Sequence, residues 1–184
     1  MKLTFFVSLI FLFLSSNISS ATNYSESNDF QIKRGDYQFY KINSHINNLR
    51  LGLHQYSSMH RKSTGTILLV HGSSFPSKLS FGFKMEGRSW IDHLTSAGFN
   101  VYSLDFLGYG DSDRYPEMVQ KNKNAKPLGR GAEVAADLNL AIDFILAKEK
   151  LNKILSDNTG QKLETIIHDT NRDNFMSADR ALKY

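Results

Sequence analysis

The sequence predicts an α/β protein, and three stretches of the 184-residue chain carry that prediction. Thr66-Ile-Leu-Leu-Val70 is an uncharged aliphatic and β-branched run that stops at His71-Gly72. Apolar residues without polar alternation mark a strand covered on both faces, as inside a parallel sheet. Gly87 to Gly98 places Trp90, Ile91, Leu94 and Ala97 at helical spacing, with Gly98 where a C-terminal cap belongs. Phe99-Asn-Val-Tyr-Ser-Leu-Asp105 is a second covered strand, followed by the turn-rich Gly108-Tyr-Gly-Asp-Ser-Asp113. Strand, helix, strand and loop make a βαβ unit, for which a right-handed crossover is expected.

The remaining elements follow in chain order. Met1 to Ala21 contains Lys2, the apolar run Phe5 to Leu14 and the small residues Ser19-Ser20-Ala21, the order of a cleavable secretory signal. The alternative is an uncleaved anchor helix, but the run is well short of the ~20 residues that span a bilayer. Residues 22–35 form a polar N-terminal segment. Tyr37-Gln-Phe-Tyr-Lys-Ile and Leu51-Gly-Leu-His-Gln-Tyr alternate as two antiparallel strands. Tyr115 to Arg130 reads as a connecting loop, and a long helix starts near Gly131. The first strands expect sheet neighbours on both sides, and a bare edge invites aggregation.

Composition narrows the function classes. With 41% hydrophobic residues the chain can bury a core, and its charges are interleaved without a basic block. Neither nucleic acid nor a membrane surface, beyond the signal segment, is expected from charge. The chain has no cysteine, which excludes disulfides. No cofactor and no metal are expected.

Residues 36–144 resemble the N-terminal half of the α/β-hydrolase fold, the scaffold of many esterases, lipases and peptidases. The resemblance rests on Leu68-Leu-Val-His-Gly72, on Ser89-Trp-Ile-Asp-His-Leu-Thr-Ser-Ala-Gly-Phe99, and on Val101-Tyr-Ser-Leu-Asp-Phe-Leu-Gly-Tyr-Gly-Asp-Ser112. Phe75-Pro-Ser77 after the His-Gly resembles an exported or periplasmic branch. The resemblance implies hydrolysis of a small ester or amide. It makes the backbone N–H of Ser73 or Ser74 one donor of an oxyanion hole, where each donor is worth about 3 to 4 kcal/mol. His71 and Gly72 are implied to be structural, like Asp105, Gly108, Gly110 and Ser112, which shape the loop beside the site. Glycine at 108 and 110 permits backbone angles that other residues resist.

The same chemistry needs a serine on a strand-to-helix elbow, a carboxylate and a histidine. No Gly-x-Ser-x-Gly occurs in the sequence. The long helix also changes character. Val134, Leu138, Ile142 and Ile145 form one apolar stripe, whereas Ala147, Leu151, Ile154 and Leu155 fall on roughly the opposite face. Glu149 and Asn152 continue the first stripe.

From residue 145 to 184 the chain resembles the C-terminal part of the Clp protease proteolytic subunit, a ring-forming serine protease of another fold. The residues that carry this are Lys148 to Gln161, with its Thr-Gly-Gln turn, and Asp169-Thr-Asn-Arg-Asp-Asn-Phe-Met-Ser-Ala178. By resemblance Asp173 is the triad carboxylate and Arg172 an oligomer contact. No serine or histidine of that type precedes Asp173, so it has nothing to orient, and a Clp-type ring is not expected. The expectation is therefore a catalytically inactive, serine-hydrolase-like chimera with a helical tail. The alternative is a Clp-type endopeptidase fragment or a fusion that docks on Clp rings. The leader implies export to the periplasm or outside; the tail would suggest the cytoplasm.

Overall fold

The computed structural model describes residues 4–6, 37–58, 63–118, 126–171 and 177–184. It contains a five-stranded mixed sheet in the order β1-β4-β5-β3-β2. The strands are β1 (Thr4–Phe6), β2 (Tyr37–Asn43), β3 (Arg50–Tyr56), β4 (Gly65–Val70) and β5 (Phe99–Asp105). β1, β4 and β5 run parallel, and β3 is antiparallel to both β5 and β2. The chain is thus an α/β protein, with the two central strands where the apolar runs place them.

Local chemistry explains the helix between β4 and β5. Helix α2 (Trp90–Ser96) opens on Ser89, whose hydroxyl accepts the Asp92 N–H while the Asp92 carboxylate accepts the Ser89 N–H. This reciprocal box satisfies two donors that a helix start leaves orphaned. Gly98, at φ 94°, turns the chain out of the helix into β5. The helix starts later than the Gly87–Gly98 expectation because the cap sits at Ser89, and it ends at Ser96 with Ala97 as its C-cap. A single helical turn, α1 (Ser77–Ser80), follows β4; no periodic signal in the sequence marks it.

Side chains alternate across the sheet, so β4 and β5 each feed two cores. Leu51, Leu53, Leu68, Tyr102 and Leu104 pack with Ala141 and Ile145 of helix α3 (Gly131–Thr159). Ile67, Leu69 and Val101 point the other way and pack with Phe81 and Ile91. The sheet therefore lies between α3 on one face and α1 and α2 on the other. Among the described residues no helix is long and apolar enough to cross a membrane.

Three residues of the N-terminal stretch pair with β4: Thr4, Phe5 and Phe6 lie in register with Ile67, Leu68 and Leu69. A further departure concerns α3. It runs unbroken for 29 residues and does not rotate its buried face where the apolar stripe shifts. Asn152 is only 5% exposed, while Leu151 and Ile154 are 53% and 45% exposed. Glu149 accepts a hydrogen bond from the Thr66 hydroxyl, and Asn152 accepts one from Thr170 at 2.9 Å. Polar side chains continue the buried stripe, and the apolar ones face solvent. Two short helices, α4 (Leu163–Thr170) and α5 (Ala178–Ala181), complete the tail.

Candidate functional site

The carboxyl ends of β4 and β5 lie side by side, since Val70 is in register with Leu104. His71-Gly72-Ser73-Ser74 and the loop from Asp105 to Ser112 therefore leave the sheet together, at the edge where α/β proteins place ligands.

His71 is almost fully buried and joins the two strand ends. Its Nε2 accepts the Phe106 N–H at 3.1 Å, and its Nδ1–H donates to the Gly72 carbonyl at 2.6 Å. The rings of Phe106 and Tyr109 flank it, with centroids at 5.1 and 4.9 Å. Both nitrogens are engaged with backbone, which sets the tautomer and leaves neither to serve as a base. The Ser73 carbonyl accepts the Tyr109 hydroxyl at 2.6 Å. Ser73 and Ser74 are exposed, and among the described residues their N–H groups have no acceptor. They are free to donate to an added oxygen.

Asp105 is wholly buried and organises the loop around it. One carboxylate oxygen accepts the Ser77 N–H at 2.8 Å; the other accepts the Asp111 N–H at 2.9 Å and faces His54 Nε2 at 3.2 Å. Burial alone disfavours the charged form, but the hydrogen bonds from His54, Asp111 and Ser77 outweigh it and hold the Asp105 carboxyl well below the usual range. Ser112 donates to the Asp105 carbonyl and accepts the Gly52 N–H, which stitches the loop to β3. Gly110 has a positive φ of 46°, and a Cβ there would collide with the Asp105 carboxylate. Gly108, at φ 86°, lies against the flexible end of Met118.

A second group of residues converges on the same carboxylate. Strand alternation puts Gly52, His54 and Tyr56 on the face of Val101, Ser103 and Asp105, and Gly52 lies opposite Asp105. The absent side chain at 52 leaves room for Asp111, which a Cβ there would meet at about 3 Å, and so lets the loop after β5 close over the strand. His54 is completely buried, and its Nδ1 accepts the Tyr37 hydroxyl at 2.8 Å. Burial pushes the Tyr37 phenol above its ordinary value. Asp111 Oδ2 is 3.5 Å from His54 Nε2 and 2.8 Å from Lys78 Nζ. The Asp111 hydrogen bond raises the Lys78 ammonium, against the opposing effect of burial.

Ser73, Ser74, Ser77 and Ser112 all sit on this face. Among the described residues none of the four hydrogen-bonds to a histidine nitrogen. Arg172 and Asp173 lie outside the described residues. Sequence reading did not single out Tyr37, His54, Lys78 or Asp111. The signal available for His54 was its phase with Gly52 in an alternating strand, but the β3–β5 pairing that brings it to Asp105 is not local.

The fold and this site define an α/β protein with a polar cluster at the strand ends. The Clp protease family model matches residues 124–184, about the C-terminal third of the chain. The match covers the whole segment that resembles that family and begins ahead of it. Among solved structures, a mutant of VrEH2 aligns with 16% identity and a TM-score of 0.35, covering 59% of this chain and 27% of that one. A CIB-like hydrolase from Thermoplasma acidophilum aligns with 23% identity and a TM-score of 0.35, covering 64% of this chain and 46% of that one. The chain thus spans less than half the length of either structure.

Proposed function

We propose that residues 36–144 derive from the N-terminal half of an α/β-hydrolase, that the following segment derives from a Clp-type protease subunit, and that the joined chain does not catalyse serine-dependent hydrolysis. His-Gly after β4 and Asp-x-x-Gly-x-Gly-x-Ser after β5, at adjacent strand ends, support the first part. The family match at 124–184 supports the second and overlaps the end of the first.

The single observation that carries the third is that the sequence has no Gly-x-Ser-x-Gly elbow, and among the described residues no serine at the strand ends hydrogen-bonds a histidine nitrogen. Acyl transfer to serine needs a base with a nitrogen free to take the hydroxyl proton. The N–H groups of Ser73 and Ser74 suit an oxyanion, but donors alone supply only residual catalysis. A small ester or amide as ligand and an exported location belong to the same proposal. A fluorophosphonate serine probe tests it: no labelling is expected on the folded chain, and stoichiometric labelling of one serine would overturn the reading.

A further inference from the structure

We propose that His54, Asp105 and Asp111 form a binding site for one divalent transition-metal ion of the zinc type, with the Lys78 ammonium occupying its charge position when no ion is bound. The inference is independent of the hydrolase ancestry. The three groups each offer one ligand atom, all within 4.8 Å of one another. A tetrahedral ion with bonds of about 2.0 to 2.1 Å has donor-to-donor edges of about 3.3 Å. His54 Nε2 lies 3.2 Å from Asp105 Oδ2 and 3.5 Å from Asp111 Oδ2, so two of the edges are already at that length. The third closes by rotation of Asp111, whose side chain is 43% exposed and supplies the access route.

The outer contacts of the site are also in place. A ligating imidazole usually engages its other nitrogen in a hydrogen bond, and His54 Nδ1 has the Tyr37 hydroxyl at 2.8 Å. With the ion on Nε2, an Nδ1–H would donate to the Tyr37 oxygen and hold the ring in place. Asp105 is held by the Ser77 and Asp111 N–H groups, which leave lone pairs on both oxygens. Two carboxylates with one Lys leave a local charge of about −1, and a divalent ion in place of the ammonium brings it to about zero. One imidazole with two carboxylates suits zinc, cobalt or manganese, and gives little to magnesium, which favours an all-oxygen shell. Lys78 is 58% exposed and can swing into solvent as the ion enters.

Titration of the metal-free full-length chain with Co²⁺ tests the proposal through the visible absorption of a four-coordinate ion. One equivalent should bind in the wild-type chain, Zn²⁺ should displace it, and Mg²⁺ should not. Asp111→Asn should weaken binding roughly 10-fold or more. Lys78→Ala should tighten it roughly 10-fold by removing the competing cation. Absence of the band in both wild type and Lys78→Ala would overturn the site. A band unchanged by Asp111→Asn would place the ion elsewhere and overturn it equally. If Asp111→Asn does not fold, equal affinity of wild type and Lys78→Ala is the decisive negative.

Discussion

The two ends of α3 show how differently the same helix can be used. Up to Ile145 it behaves as a sheet-covering helix: Ala141 and Ile145 are buried against Leu53, Leu68 and Tyr102. Beyond that point the buried face keeps its phase but loses its apolar character, and Leu146, Leu151 and Ile154 stand in solvent. In the first half the period of the sequence and the period of burial agree. In the second they are out of step, so side-chain hydrogen bonds from Thr66 and Thr170 replace apolar contact. Sequences that fold well keep such levels consistent.

The largest expected effect lies at the carboxylate that organises the loop after β5. Asp105→Asn sets an amide NH₂ against buried N–H donors and removes the partner of His54, and should cost about 3 to 5 kcal/mol in urea unfolding. The pH dependence of wild-type stability follows the same group. Its folded-state pKa lies below the unfolded value of about 3.9, so its contribution is complete above that value. It is lost as pH falls further towards the folded-state value; a stability curve flat between pH 4 and pH 2 would contradict this.

The next effect compares the halves of α3 directly. Ile145→Ala removes a side chain that is 1% exposed, and should lower the unfolding free energy by about 3 kcal/mol. The smallest is its counterpart beyond the shift. Leu151→Ser alters an exposed apolar residue, and thermal unfolding should record a change within about 0.5 kcal/mol. Equal losses at the two positions would mean that the tail packs its apolar side after all.

Much of the fold was legible because its signals are local. Ile67 to Val70 is a continuous apolar run, Phe99 to Asp105 is a strand-length stretch between Gly98 and a glycine-rich turn, and Ser89 with Asp92 marks the start of α2. The polar cluster was half legible. Asp105, Gly108 and Gly110 announce a loop through residue type and spacing, but His54, Tyr37 and Lys78 come from three other places in the chain. Only pairing of β3 with β5, a contact between residues some fifty positions apart, brings the imidazole to the carboxylate. The pairing of Thr4–Phe6 with β4 was hidden for another reason. A leader-like apolar run and a strand share the same composition, and composition does not name a neighbour.

The unbroken course of α3 has a geometric consequence. At 1.5 Å per residue its 29 residues make a rod about 44 Å long. A sheet clamps one end, while a hydrogen bond from Thr170 of α4 to Asn152 ties down the other. A continuous rod has no hinge with which to adjust. Each residue added or lost within it would turn everything downstream by about 100°, as a misplaced tooth turns a gear. The angular setting of the tail is therefore dictated by the count of residues in the helix, whatever its own apolar side would prefer.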